Sequence, residues 1–309
     1  MQPVHRLFIL MLCLATAGTA HAGAIPADTA QAHPYVLDDT DVRPIHAKAL
    51  QRDYQLFVSF PASYQQQPER RYPVVFVTDA NYAFPLVRSI ARRVGDHGKT
   101  LDDFILIGLS YADGDSPQFS RNRDYTPSAD GGADATSDMA GRKPVYGEAE
   151  NYRRFIAEEV FPFAARTWRV DMHRKTFVGH SYGALLGIQT LLTEPTMFEN
   201  YILGSPSLWF DHKIMFAHEK NYAQTHRDLP ANIFMAIGSF ETVKPAAHDP
   251  RYNHQNDMVT DMHAFERNLS SHHYPNLKIR STVIDDEDHL TVFPAIVTRG
   301  LVSVLGKRH

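Results

Sequence analysis

The sequence predicts a single α/β domain, a mostly parallel central sheet with helices on both faces. Three observations carry that expectation. Short, continuous apolar runs recur along the chain, segments with apolar residues every three or four positions alternate with them, and no internal repeat or long apolar span breaks the rhythm after the first residues. Continuous apolar runs mark strands buried on both faces, and their alternation with helical segments is the pattern of crossover-connected parallel strands.

The elements follow in order. Tyr54, Leu56, Val58 and Phe60 alternate with Gln55, Phe57 and Ser59, a strand stopped by Pro61. Val74–Val77 is the first doubly buried run, followed by Phe104–Leu109, Thr176–Val178, Tyr201–Leu203, Ile233–Ile237 and Leu277–Ile284. The best helical pattern is Glu148–Thr167, where Tyr152, Phe155, Ile156, Val160, Phe163, Ala164 and Thr167 share one stripe. Pro162 inside it should kink or end the helix, because it lacks an N–H and its ring crowds the preceding turn. Leu185–Leu192, Val259–Leu269 and the C-terminal Val292–Leu305 are further helices. One stretch, 111–147, is rich in Asp, Gly, Ser and Pro and shows no period. It follows a predicted strand at the edge where α/β sheets bind ligands, so it reads either as an active-site loop or as a disordered insertion.

Composition narrows the class. Of 309 residues 43% are hydrophobic and 21% charged, with 31 Lys and Arg against 35 Asp and Glu and a formal charge of −4. That is enough apolar matter for a core and no electrostatic footprint for nucleic acid. Residues 1–22 read as a secretory signal peptide: Arg6, the apolar run Leu7–Leu14, and Ala20-His21-Ala22 before the cleavage point. Leu10-Met11-Leu12-Cys13 lacks small residues before the Cys, so no lipid anchor is expected. Residues 23–33 are a flexible lead-in, and 34–309 form the domain. Cys13 is the one cysteine, so the mature chain has no disulfide and no thiol nucleophile. A periplasmic or secreted location is expected.

Gly179-His180-Ser181-Tyr182-Gly183 lies between a predicted strand and a predicted helix. This is the Gly-x-Ser-x-Gly pattern in the setting of a nucleophile elbow, where a sharp turn exposes Ser181 above the sheet and the flanking positions must lack bulk. A serine hydroxyl needs a base held by an acid. His289, just after the last predicted strand, suits the base. For the acid, Glu241 follows the strand Ile233–Ile237 and is the first choice; Asp286 is the second, and a Ser–His pair without a strong acid the third. Asp285 and Asp288 belong to the same acidic run. The oxyanion donors would be the amide of Tyr182 and that of Ala80 or Asn81 in the loop after Val77.

Several stretches together resemble the putative-esterase family of α/β-hydrolases, which includes esterase D-like enzymes and siderophore trilactone esterases. They are Arg71-Tyr72-Pro73-Val74-Val75 with Asp79-Ala80-Asn81, and Arg121-Asn122-Arg123-Asp124-Tyr125-Thr126-Pro127. They continue with Phe161-Pro162, Trp168-Arg169-Val170-Asp171, Gly179–Gly183 and Ser205-Pro206-Ser207-Leu208-Trp209, then Asp288-His289 and Arg299-Gly300-Leu301. Ala80 and Ala184 stand where relatives often carry Gly. The resemblance implies a serine carboxylic-ester hydrolase, acting on a small-molecule ester such as the trilactone of a ferric catecholate siderophore. The alternatives are a broad carboxylesterase or thioesterase on short acyl or feruloyl esters, an acyltransferase, and a catalytically idle ligand-binding homologue.

Arg121 and Arg123 could hold a bulky anionic substrate, or Arg123 could pair with Asp124 to fix the loop. Trp209 belongs to a segment read as core and pocket wall, on the substrate side. No cofactor or metal is expected. The His-rich stretch 248–273 lacks zinc-ligand spacing, Asp113 and Asp115 lack the Gly and closing Glu of a calcium loop, and no Gly-rich phosphate loop exists.

Overall fold

The computed structural model describes residues 34–95 and 99–307. The expectations for 1–22 and 23–33, and Cys13 with them, lie outside the described residues. Residues from Asp38 onward form one compact unit that carries the sheet and every described helix. Residues 34–37 have no regular secondary structure.

Eight strands build the sheet: β1 (Thr40–Ala47), β2 (Arg52–Ser59), β3 (Tyr72–Val77), β4 (Ile105–Leu109), β5 (Val170–His180), β6 (Asn200–Gly204), β7 (Asn232–Gly238) and β8 (Lys278–Ile284). Their spatial order is β1-β2-β4-β3-β5-β6-β7-β8. β1 pairs antiparallel with β2, and β2 antiparallel with β4; every later pairing is parallel, for example Val74↔Ile105, Phe76↔Phe177 and Val178↔Ile202. The mostly parallel sheet is therefore present, with two antiparallel strands at one edge.

Side-chain alternation along the central strands divides the core between the two faces. Val74 and Phe76 point to one side and Val75 and Val77 to the other, all with 0% exposure. The first side packs against α3 (Ala149–Phe155), α4 (Phe161–Thr167), α5 (Tyr182–Thr193), α6 (Phe210–Thr225) and α7 (Met258–Ser271). The second packs against α1 (Ala80–Gly95) and α8 (Phe293–Leu305), through Ala83, Phe84, Val87, Phe293, Ile296 and Val297. Helices do cover both faces. Each fully buried Val or Phe of this core contributes about 1.5–3 kcal/mol.

Two local expectations are refined. The stretch 111–147 is not structureless. It contains α2 (Pro117–Tyr125), which starts with Pro117 after an N-cap in which Ser116 Oγ accepts from Phe119 N at 3.0 Å. This helix is polar and is held by buried ion pairs instead of an apolar stripe, so no period announced it. Pro162 does not end its helix, but the regular α-helix is interrupted just before it, the local disturbance expected of a residue without an N–H. α3 passes into a π-helical turn, Ile156–Val160, in which Phe161 N donates to Ile156 O, and α4 resumes with Pro162 in its first turn. The wider turn absorbs the missing N–H.

α6 begins irregularly. Asp211, His212 and Lys213 have φ of 43°, 51° and 64°, a left-handed run ahead of the regular helix. Among the described residues no helix is long and apolar enough to cross a membrane.

Candidate active site

The Gly179–Gly183 turn joins β5 to α5 at the carboxyl edge of the sheet. Ser181 is held at φ 58°, ψ −119° and is partly exposed. A non-glycine residue in this region is strained, and such strain persists where the surroundings over-determine it. Those surroundings are visible. Ser181 N donates to Gly204 O of β6 at 2.9 Å and Leu185 N to Ser181 O at 3.0 Å. A Cβ on Gly179 would meet Gly183 O at 2.4 Å, and one on Gly183 would meet Thr78 Oγ1 at 2.4 Å. Only glycine lets the strand, the helix and the loop after β3 approach this closely.

Glu241 and His289 come from the loops after β7 and β8. His289 Nδ1 lies 2.6 Å from Glu241 Oε2. Glu241 is 1% exposed. Its other oxygen, Oε1, accepts from Ser205 Oγ at 2.6 Å and from Gly238 N at 2.9 Å. A buried carboxylate with both oxygens engaged can hold an imidazole in one tautomer, with the proton on Nδ1 and the lone pair on Nε2. Asp286, by contrast, is exposed and pairs with Arg251 at 2.9 Å, and Asp288 Oδ1 accepts from the amides of Leu290 and Thr291 at 2.8 and 3.1 Å.

His289 is brought to the elbow through its neighbour. The His180 and His289 rings lie 4.7 Å apart, and His180 also packs on Phe293 at 5.3 Å. His180 is 7% exposed, and its Nε2 has no hydrogen-bond partner among the described residues. Burial first, then the nearby His289 and Arg121, holds its pKa well below the usual value of 6.5. The Ser181 hydroxyl itself rests against Ser207, Oγ to Oγ 3.3 Å, and makes no hydrogen bond to His289 in this resting arrangement. Such contacts commonly tighten only with substrate present.

Two helix N-termini border the nucleophile. Tyr182 opens α5 and Ala80 opens α1, so the amides of Tyr182, Ala80 and Asn81 precede the first intrahelical bond of each helix and are available as donors. Asp79, at φ 58°, turns the chain from β3 into α1. Its buried carboxylate faces Arg121 Nε at 2.9 Å, an ion pair without straight hydrogen-bond geometry, and accepts from Tyr111 Oη at 2.9 Å. Burial pushes the Asp79 carboxyl above its ordinary value, against the pull of Arg121 and Tyr111. Arg121 also lies over the Tyr182 ring at 5.7 Å, so one guanidinium ties the loop after β3 to the elbow.

Of the two readings of Arg123, substrate contact or a partner of Asp124 that fixes the loop, the geometry matches the second. The Arg123 side chain is 4% exposed, with Nη1 2.6 Å from Asp115 and Nε 2.7 Å from Asp124, so its charge is spent inside the fold. Trp209 is half-buried against Tyr182, with ring centroids 6.0 Å apart, and forms one wall beside the nucleophile. Tyr82, 46% exposed, and Leu290, 87% exposed, flank the same edge next to the α1 start and to His289. Ser205, Ser207, His180 and Asp79 were not singled out as site residues; Ser205-Pro206-Ser207 was read as core and wall. Their roles depend on contacts between loops that sequence spacing does not encode.

A family model described as "Putative esterase" matches residues 47–295. The chain belongs to this family. Among curated proteins it is similar to the ferri-bacillibactin esterase BesA of Bacillus subtilis, 28% identical over 273 residues covering 86% of this chain and 90% of that one. It is also similar to the siderophore triacetylfusarinine C esterase of Aspergillus fumigatus, 26% identical over 266 residues covering 80% and 87%. Among solved structures, the BES protein from Bacillus cereus superposes with a TM-score of 0.72 at 24% identity, over 89% of this chain and 98% of that one. That likeness concerns the fold.

Proposed function

We propose that this chain is an exported serine esterase that hydrolyses the ester bonds of a siderophore, the trilactone of a ferric catecholate siderophore in the first instance. The observation that carries the chemistry is the strained Ser181 at the elbow, whose neighbour His180 lies 4.7 Å, ring to ring, from a His289 with its Nδ1 fixed at 2.6 Å by a buried carboxylate, Glu241. The names of the two curated relatives support the substrate class. The leader supports export to the periplasm, or secretion, after loss of residues 1–22.

In this reading His289 Nε2 takes the Ser181 proton as Oγ attacks the ester carbonyl. The amides of Tyr182 and of Ala80 or Asn81 receive the oxyanion, and the His289 proton passes to the departing alkoxide. Water then attacks the acyl-enzyme, with the same imidazole as base. Trp209, Tyr82 and Leu290 supply apolar and aromatic surface on which a catechol ring can lie.

The test compares ferric enterobactin, its iron-free form and p-nitrophenyl butyrate as substrates of the mature protein. The expected result is trilactone cleavage, abolished in Ser181→Ala. Hydrolysis of p-nitrophenyl butyrate without trilactone cleavage would replace the siderophore by a broad carboxylesterase substrate, and turnover unchanged in Ser181→Ala would remove the serine mechanism.

A further inference from the structure

Two hydroxyls of one turn stand at opposite ends of the Glu241–His289–Ser181 group. Ser205 Oγ donates to Glu241 Oε1. Two residues on, Ser207 is 1% exposed, and its one side-chain hydrogen-bond partner among the described residues is Ser181 Oγ. The turn is built to hold both. Ser205 sits at φ 42°, a left-handed conformation that costs a non-glycine residue about 1–2 kcal/mol. Ser205 N is tied to Ala236 O of β7 at 2.8 Å, and Leu208 N and Phe210 N close back on Pro206 O and Ser207 O at 2.7 and 3.1 Å. A buried hydroxyl set against a reacting oxygen by a strained turn with three backbone hydrogen bonds is placed there by the fold.

We propose that Ser207 is a further catalytic residue. Its hydroxyl donates to Ser181 Oγ and stabilises the charge that gathers on that oxygen as the acyl-enzyme breaks down. This rests on the serine-esterase reading above. When the Ser181 proton points to His289 Nε2, the lone pairs of Oγ face Ser207, whose hydroxyl is then the donor. In deacylation, water forms a bond to the acyl carbon and gives one proton to His289 Nε2. The acyl–Oγ bond breaks with its electron pair left on Oγ, which recovers that proton, and the acid departs. Ser207 keeps its own proton throughout. A neutral donor aimed at an oxygen while charge develops on it acts on the barrier and not on substrate affinity.

The experiment uses a fluorophosphonate label and stopped-flow kinetics with p-nitrophenyl acetate on wild type, Ser207→Ala and Ser207→Cys, each checked by circular dichroism and thermal unfolding. Cysteine keeps the shape but is a weak donor. Both variants are expected to take up label stoichiometrically and to release a burst near one equivalent, with the turnover that follows slowed about 10- to 100-fold and KM falling with it. If Ser207→Cys turns over like wild type, volume and not the donor matters, and the proposal fails while the serine reading stands. A wild type that takes no label and shows no burst removes both. Should Ser207→Ala fail to fold, Ser207→Cys decides alone.

Discussion

Glu241 Oε2 and His289 Nδ1 meet at 2.6 Å although 48 residues separate them. They do so because β7 and β8 are adjacent parallel strands that end together, Ile237 opposite Val283 and Gly238 opposite Ile284. The carboxylate is aimed by its second oxygen, which is saturated by Ser205 and Gly238. Glu241→Gln keeps an oxygen for those two donors and turns an NH2 towards Nδ1, which forces the proton onto Nε2. The imidazole can then no longer accept from Ser181. A fall in kcat of about 10³–10⁴-fold on p-nitrophenyl butyrate is expected, with the fold intact. A loss of less than tenfold would displace Glu241 as the acid.

The backbone of Ser181 offers a test of strain. At φ 58°, ψ −119° a glycine is relaxed and an alanine is not. Ser181→Gly is expected to unfold at higher temperature than Ser181→Ala, a difference of about 1–2 kcal/mol, with both variants inactive. Equal stabilities would show that the turn stores no strain.

His180 links stability to pH. Its folded pKa is depressed by burial, with His289, Arg121 and Phe293 packed around it. The unfolded chain therefore binds a proton that the folded chain refuses. The resulting stability is full above the unfolded value of about 6.5 and is lost as pH falls below it. Denaturant titrations at pH 7.5 and 5.0 should show a drop for wild type that is smaller in His180→Phe. An identical drop in both would assign the acid sensitivity elsewhere.

Removing Arg123 should cost stability and leave substrate affinity alone. Arg123→Ala takes one cation from Asp115, which keeps Arg142, and from Asp124, which keeps Arg52 and Tyr54, a loss of about 1–3 kcal/mol. In the fraction that remains folded, KM for the siderophore ester is expected to match wild type. A rise in KM without loss of stability would return Arg123 to the substrate.

The legible part of this protein is where burial is two-sided or where backbone geometry selects residue types. β3, β4, β6 and β7 are continuous apolar runs, and the elbow glycines are fixed by approaches of 2.4 Å. β1 was missed because it is an edge strand of largely exposed residues that includes Pro44. α1 was missed because it contains Pro85, and α6 because its first turn is left-handed. Ser207 could not be seen either. It lies 26 residues from Ser181, and the two meet only because β5 and β6 are neighbours in register, His180 beside Gly204.

The left-handed run Asp211-His212-Lys213 sits one residue beyond the Trp209 wall and is retained by Ser128 on Asp211 and by Lys213 Nζ on Asp261 at 2.6 Å. Each left-handed residue costs about 1–2 kcal/mol, but at Asp211 and Lys213 a glycine would also remove the side chain that holds the run. Stabilisation by glycine is therefore confined to His212, the exposed residue of the run that holds neither tether. Heat tolerance can thus be tuned at a single solvent-facing position without loosening either anchor.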